Sequence, residues 1–169
     1  TLEKMNADKK NMTGILERWK LRQKEERPLL YVINVSGGGT RSATFTLKVM
    51  QRLDSIMNGE LLKKTFIING ASGGMLGAAY YRELFRLKQQ GSPIHLQDQQ
   101  YDDNISKDLL NALFSSFVTR DFFAPAQQFR AGHFNYIKDR GYAFEEQFNR
   151  NTGKILNYTL RDIIEDERN

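Results

Sequence analysis

A serine at the centre of a short glycine-rich turn is the residue of this chain best suited to covalent chemistry. Ser72 lies in the middle of Gly70-Ala71-Ser72-Gly73-Gly74, which fits the pattern G-x-S-x-G. In a nucleophile elbow such a serine sits on a strained turn between a strand and a helix, with its hydroxyl exposed. The residues two before and two after it must be small, and Gly70 and Gly74 are. The pattern therefore predicts Ser72 as a nucleophile.

A second glycine-rich turn precedes the first and suits the charge that a serine nucleophile creates. Its sequence, Ser36-Gly37-Gly38-Gly39-Thr40-Arg41, offers a run of backbone N–H groups without side chains in the way. Such groups stabilise the oxyanion of a tetrahedral intermediate. Neither turn has the lysine followed by Ser or Thr of a phosphate-binding loop, nor the glycine spacing of a dinucleotide fingerprint. We therefore expect Gly37 to Gly39 to form an oxyanion hole, and nucleotide binding is disfavoured.

The segments around the two turns predict an α/β fold with parallel strands. Apolar runs at residues 29–35 and 65–70 predict strands, the first of them buried on both faces. Residues 41–57 and 75–89 carry apolar side chains three or four apart and predict helices. The order strand, helix, strand, helix indicates a right-handed crossover. Both turns should then lie at the carboxyl edge of one sheet, where open α/β sheets place their sites.

The remaining segments carry weaker signals. Residues 1–28 are highly charged and predict a helix that docks by one stripe, formed by Met12, Ile15, Leu16, Trp19 and Leu21. Residues 91–104 indicate a long loop, residues 106–118 a helix, and Thr159 the cap of a final helix that runs to the end of the chain. The aromatic residues between 122 and 148 favour packing in the core, with a lipid-contacting surface as the alternative.

Composition sets limits on the function. The 169 residues are 40% hydrophobic with no cysteine, which fits one globular domain and excludes disulfides and thiolate metal sites. The formal net charge of +5 is spread along the chain among acidic residues, so we expect no binding to nucleic acid. His95 and His133 form no metal-ligand pattern, and no cofactor is expected. No apolar run approaches eighteen residues, so we expect a soluble chain, cytoplasmic or associated with a membrane.

The two turns together resemble the signature of the patatin-like phospholipase superfamily. The resemblance covers about residues 29–87, and Ser36 is more similar to the cytosolic phospholipase branch than to patatins proper. It implies an α/β domain in three layers, with a mostly parallel sheet and helices on both faces. It implies Ser72 as the nucleophile, Gly37 to Gly39 with Gly73 as the oxyanion hole, and Arg41 as a residue that supports the loop or faces a substrate phosphate. The implied substrate is an acyl ester of a lipid, with possible contact to a membrane surface.

The general base of the family is an aspartate in a D-G-G or D-G-A motif, and this sequence contains neither. Asp139-Arg140-Gly141 is the nearest imitation. We therefore expect residues 29–169 to be the N-terminal part of an incomplete acyl hydrolase domain, inactive by itself. Three alternatives stay open: a non-catalytic binding or scaffold module that retains these turns, an α/β-hydrolase with a Ser-His-Asp triad through His95 or His133, and a nucleotide-binding domain.

Overall fold

A computed structural model describes residues 2–123, 127–159 and 161–163 as a mixed structure of helices and strands with a small parallel sheet. In chain order the elements are α1 (Leu2–Arg22), β1 (Tyr31–Val35), α2 (Gly39–Ile56), α3 (Leu61–Lys64), β2 (Thr65–Gly70), α4 (Ser72–Gln89), α5 (Gln99–Ser106), α6 (Leu110–Ser116), a π-helical segment (Phe117–Phe123), β3 (Gln128–Ala131), β4 (Phe134–Ile137) and α7 (Arg140–Asn151). None of the helices described is both long and apolar enough to cross a bilayer.

The predicted pair of parallel strands is confirmed. β1 and β2 pair in parallel, and their last residues, Val35 and Gly70, lie opposite each other. The turn after β1 and the turn after β2 therefore begin side by side at one edge of the sheet. α2 and α4 start directly from these turns, at Gly39 and Ser72, so both helix N-termini point at the same place.

One face of this sheet carries the core, and the prediction that β1 is buried on both faces is wrong. Ile33, Val35 and Ile68 pack against the buried cluster that α2 and α4 form between them. Side chains alternate between the two faces of a strand, and Val32 on the other face is 51% exposed. Within the described residues, α2 and α4 thus cover the face of Ile33, and β1 is a half-buried strand.

The core between α2 and α4 follows the periodicity of the sequence. Its central members are fully buried and come from both helices: Ala43, Leu47, Met50, Ala78, Tyr81 and Leu84. On α2 these apolar residues recur at the three- and four-residue spacing that predicted the helix. α5 packs against this core, and its Tyr101 meets the ring of Tyr80 edge to face at 6.1 Å between centroids.

Three sequence predictions outside this core need correction. The segment 91–104 is not one long loop, because α5 begins at Gln99 and buries Tyr101 and Ile105 one helical turn apart. The helix expected at 106–118 is split into α6 and the π-helical segment, and the β3–β4 hairpin and α7 were not predicted. Of the stripe predicted on α1, Trp19 alone is buried; it meets Phe66 at 6.2 Å. The final helix predicted after Thr159 lies mostly outside the described residues.

The buried tyrosines of α4 should make the fold sensitive to alkali. Burial raises the pKa of Tyr80 to about 12, and burial, with Asp54 nearby, also raises the pKa of Tyr81. The unfolded chain ionises these groups near their ordinary pKa of about 10, so above that pH it releases protons that the native state keeps. The free energy of unfolding should therefore decrease as the pH rises above 10. Each tyrosine contributes a decrease of at most about 1.4 kcal/mol per pH unit.

Urea unfolding at a series of pH values measures this slope. Tyr80→Phe combined with Tyr81→Phe should make the loss of unfolding free energy between pH 10 and 12 clearly shallower than in the unsubstituted chain. Equal slopes for both proteins would show that neither tyrosine is kept neutral by the fold.

Candidate active site

The backbone at Ser72 has the strain expected of a nucleophile elbow. Ser72 has a φ of 51°, a left-handed conformation that residues other than glycine rarely adopt. Ala71, in an extended conformation, links the end of β2 at Gly70 to Ser72, which is the first residue of α4. Ser72 therefore stands between a strand and a helix. Its side chain is exposed to solvent. Such strain persists only where the surrounding structure imposes it, and it clusters at functional sites.

The two glycines that flank the elbow are required by close contacts between backbones. A methyl group on Gly70 would overlap the carbonyl oxygen of Val35 on the neighbouring strand. A methyl group on Gly74 would overlap the carbonyl oxygen of Ser36, in the other glycine turn. The requirement for small residues, inferred from the pattern G-x-S-x-G, therefore has a direct steric cause in this fold.

The glycine loop after β1 lies against the serine. A methyl group on Gly37 would stand 3.2 Å from Cβ and 3.7 Å from Oγ of Ser72. Gly38 and Gly39 have φ values of 144° and 63°, which L side chains disfavour. The N–H groups of Gly37 and Gly38 donate to no acceptor in the described part of the chain. These donors are therefore free to bind an anionic oxygen that forms beside Ser72.

Ser42 holds this loop in place, a role that the sequence analysis missed. Its Oγ donates to the carbonyl oxygen of Ser36 at 2.6 Å. This bond ties the start of the glycine loop to the helix that follows it. Because a trans peptide is planar, fixing the Ser36 carbonyl makes the Gly37 N–H point the opposite way. A serine in the first turn of a helix often bonds back to a nearby carbonyl, and this local signal could have identified it.

Both helix N-termini add positive potential at the same point. α2 and α4 have 18 residues each, and the first N–H groups of an α-helix lack intrahelical partners. The helix dipole places a partial positive charge at each of these ends. The N–H of Gly73, one residue into α4, belongs to this set. Negative charge that develops on an oxygen near Ser72 would be stabilised from two sides.

A cavity of about 320 Å³ opens at Ser72. Its polar end is formed by Ser72, Gly73 and the glycine loop with Arg41. The rest of its lining is apolar and comes from α2, α4, α5, the start of α6 and α7: Ala43, Leu76, Ile105, Leu109, Leu110, Leu113, Phe144 and Phe148. Phe144 and Phe148 stack with an interplanar angle of 5° at 6.2 Å between centroids. The cavity thus has a polar end at Ser72 and a larger part lined by apolar side chains.

Arg41 lies in the lining of this cavity, in the first turn of α2. Its side chain is exposed, and it makes no hydrogen bond or ion pair with any residue that the structure describes. A cation in the first turn is slightly unfavourable against the helix dipole. The position therefore supplies a positive charge to the cavity, and no hydrogen bond or ion pair of its side chain holds the glycine loop within the described part of the chain.

The side chains considered as general base lie away from Ser72, whose hydroxyl has no hydrogen bond among the described residues. His95 follows the far end of α4, a helix about 27 Å long. His133 is exposed in the turn between β3 and β4. Asp139 is the N-cap of α7, and its carboxylate accepts the Tyr142 N–H at 3.0 Å. None of the three lines the cavity.

The described residues also contain no group of three or more His, Cys, Asp or Glu side chains that could hold a metal ion. No family model, curated protein sequence or solved structure matches this chain. The assignment of a function therefore depends on the geometry of the site.

Two glycine-to-alanine substitutions should have opposite effects on stability. Gly74→Ala inserts a methyl group into the Ser36 carbonyl and should lower the free energy of unfolding by about 2–3 kcal/mol, the usual cost of overpacking. Gly14→Ala on α1 is the matched control, since its methyl group would lie 3.6 Å from Arg18 Nη1. It should raise stability by up to about 1 kcal/mol through helix propensity. Urea unfolding measures both, and a neutral Gly74→Ala would contradict the close contact.

Proposed function

We propose that this chain is the nucleophile-bearing part of a serine acyl hydrolase that cleaves carboxylic esters of lipids. The observation that carries the proposal is the strained Ser72 lying against a loop of free N–H donors, with Gly37 beside its side chain. This arrangement supplies a nucleophile and an oxyanion hole at one point. The resemblance to patatin-like phospholipases, and the three-layer α/β domain that it implies, belong to the same proposal.

In the reaction Ser72 Oγ attacks the ester carbonyl carbon and loses its proton to a carboxylate base. The carbonyl oxygen becomes an oxyanion and accepts hydrogen bonds from the N–H groups of Gly37, Gly38 and Gly73. The base passes the proton to the departing alkoxide, which leaves as an alcohol, while the acyl group stays bonded to Ser72 Oγ as an ester. Water then attacks this ester, the base takes its proton, and the fatty acid leaves as Ser72 Oγ is reprotonated.

The cavity fits the acyl part of such a substrate. A carbonyl carbon at Ser72 Oγ would stand at the polar corner, and the attached alkyl chain would extend along Leu76, Leu113 and Phe148. Burying hydrocarbon there is favourable by about 0.8 kcal/mol per methylene. Arg41 lies at the polar end, where it would meet a phosphate or another anionic group of the leaving alcohol.

In this proposal the base is an aspartate that lies outside the described residues. Within the described residues no carboxylate lines the cavity and none bonds to Ser72, whereas a serine hydroxyl needs a base within hydrogen-bond reach. We propose a Ser-Asp dyad completed by a longer polypeptide that includes this chain. A triad through His95 or His133 gains no support from their positions.

Ser72→Ala should abolish ester hydrolysis by the longer polypeptide that supplies the base. The loss should be at least about 10³-fold in kcat/KM on a chromogenic acyl ester, because no covalent intermediate can form. Folding should be unchanged by circular dichroism and thermal unfolding. The exposed Ser55→Ala on α2 is the control and should keep full activity. Undiminished turnover by Ser72→Ala would sink the proposal.

The 169-residue chain alone should react slowly with a fluorophosphonate probe at neutral pH, because none of the described carboxylates lines the cavity at Ser72. Mass spectrometry of the labelled protein gives the stoichiometry and the modified residue. Rapid stoichiometric labelling at Ser72 would mean that this chain contains the general base, with His95, His133 and Asp139 as the candidates. Slow labelling of the longer polypeptide as well would favour a non-catalytic module.

Leu113→Trp should shorten the acyl chain that the enzyme accepts. The larger side chain fills part of the cavity, so kcat/KM on a dodecanoyl ester should fall about tenfold or more while an acetyl ester stays within about twofold. Leu53→Trp, at an exposed leucine of α2 outside the cavity, is the control. A parallel loss on both esters in the Leu113 variant would mean that the acyl chain lies elsewhere.

A further inference from the structure

An apolar stripe runs from the rim of the cavity along the outside of α6. Leu110, Phe114 and Phe117 recur at the spacing of one helical face and are 61%, 67% and 43% exposed. Leu110 also lines the cavity, so the stripe begins at its mouth. Exposed apolar residues that stand singly are ordinary, whereas a contiguous set beside a cavity indicates a contact surface.

The β3–β4 hairpin carries a second group of exposed aromatic side chains. Phe129 and Tyr136 pair across the hairpin and stack at 5.5 Å between centroids, and Phe134 lies on the same face, 68% exposed. Both groups adjoin the start of α7: Ser116 Oγ of α6 donates to the Asp139 carbonyl at 3.5 Å, and the hairpin ends two residues before Asp139.

Cationic side chains accompany these aromatics. Between residues 127 and 140 the sequence contains Arg130, Lys138 and Arg140 and one acidic residue, Asp139, which caps α7. The Arg140 guanidinium lies 5.5 Å from the ring centroid of Phe117. Aromatic and aliphatic side chains with cations around them match the interface of an anionic bilayer, where the rings enter the headgroup region and the cations meet lipid phosphates.

We propose that this aromatic-cationic surface docks the protein onto an anionic lipid bilayer, so that the cavity opens toward the membrane. The surface consists of Leu110, Phe114, Phe117, Phe134 and Tyr136 with Arg130, Lys138 and Arg140. The part of the inference that concerns the substrate rests on the proposed function. In a docked protein, a lipid acyl chain could pass Leu110 into the cavity without crossing water. Docking itself does not require Ser72.

Vesicle co-sedimentation tests the apolar part of the surface. The probe is the 169-residue chain carrying Ser72→Ala, with vesicles of phosphatidylcholine alone or mixed with phosphatidylglycerol. Phe114→Ser combined with Phe134→Ser should weaken binding to the anionic vesicles at least about tenfold, since two exposed rings no longer enter the bilayer. Phe45→Ser is the matched control: Phe45 is 70% exposed on α2 and should be replaceable without effect.

The contribution of the cationic side chains is tested separately. Arg130→Gln with Lys138→Gln should weaken binding to anionic vesicles by about fivefold per cation and flatten its salt dependence. Lys9→Gln with Lys10→Gln on α1 removes the same charge and should have a smaller effect. Circular dichroism of each variant verifies that the fold is retained.

Several outcomes would overturn the inference. These are no binding to anionic vesicles, an equal loss with Phe45→Ser, or a concentration-dependent dimer that Phe114→Ser dissolves, which would assign the surface to a second copy. Absent vesicle binding, while the longer polypeptide with Ser72 intact hydrolyses soluble esters, removes this inference alone. Intact vesicle binding, while that longer polypeptide hydrolyses no ester, removes the proposed function alone.

Discussion

The structure depends on direct backbone contact between the start of α4 and the loop and helix that follow β1. Three glycines of α4 make this contact: Gly73 lies against the carbonyl of Gly39, Gly74 against that of Ser36, and Gly77 against that of Ala43. A side chain at any of them would separate the two helices. Because the helices meet here without side chains between them, their N-termini, the glycine loop and Ser72 converge within one small volume.

The same contact explains how an unfavourable backbone at Ser72 can persist. A non-glycine residue in the left-handed region costs on the order of 1 kcal/mol or more. The buried side chains of α2 and α4, Leu47, Met50 and Leu84 among them, fix the two helices against each other and leave the turn no relaxed alternative. Ser42 adds a hydrogen bond that holds the loop on the other side. Packing behind the site thus keeps the serine exposed and the loop N–H groups unpaired.

The apolar part of the site comes from a different region of the chain. Ile105, Leu113 and Phe148 belong to α5, α6 and α7, and long-range packing alone brings them to Ser72. On α7, Phe148 is buried, as the sequence predicts for this aromatic region, and Tyr142 and Phe144 are half-buried. The hairpin residues Phe134 and Tyr136 face solvent instead. One aromatic-rich stretch therefore supplies both the inner wall of the cavity and part of the surface beside it.

The sequence by itself determined the order of strands and helices around the two turns and the parallel pairing of β1 and β2, because these follow from local periodicity. It also indicated Ser72 and Gly37 as candidate site residues, because glycines stand at the positions that a nucleophile elbow requires. The tertiary structure alone decided that β1 has an exposed face, that α5 forms in a polar stretch because Tyr101 packs on Tyr80, and that Ser42 closes the loop. It also decided which apolar side chains form the cavity and which stay exposed. Local spacing cannot settle these points, since they depend on contacts between residues far apart in the chain.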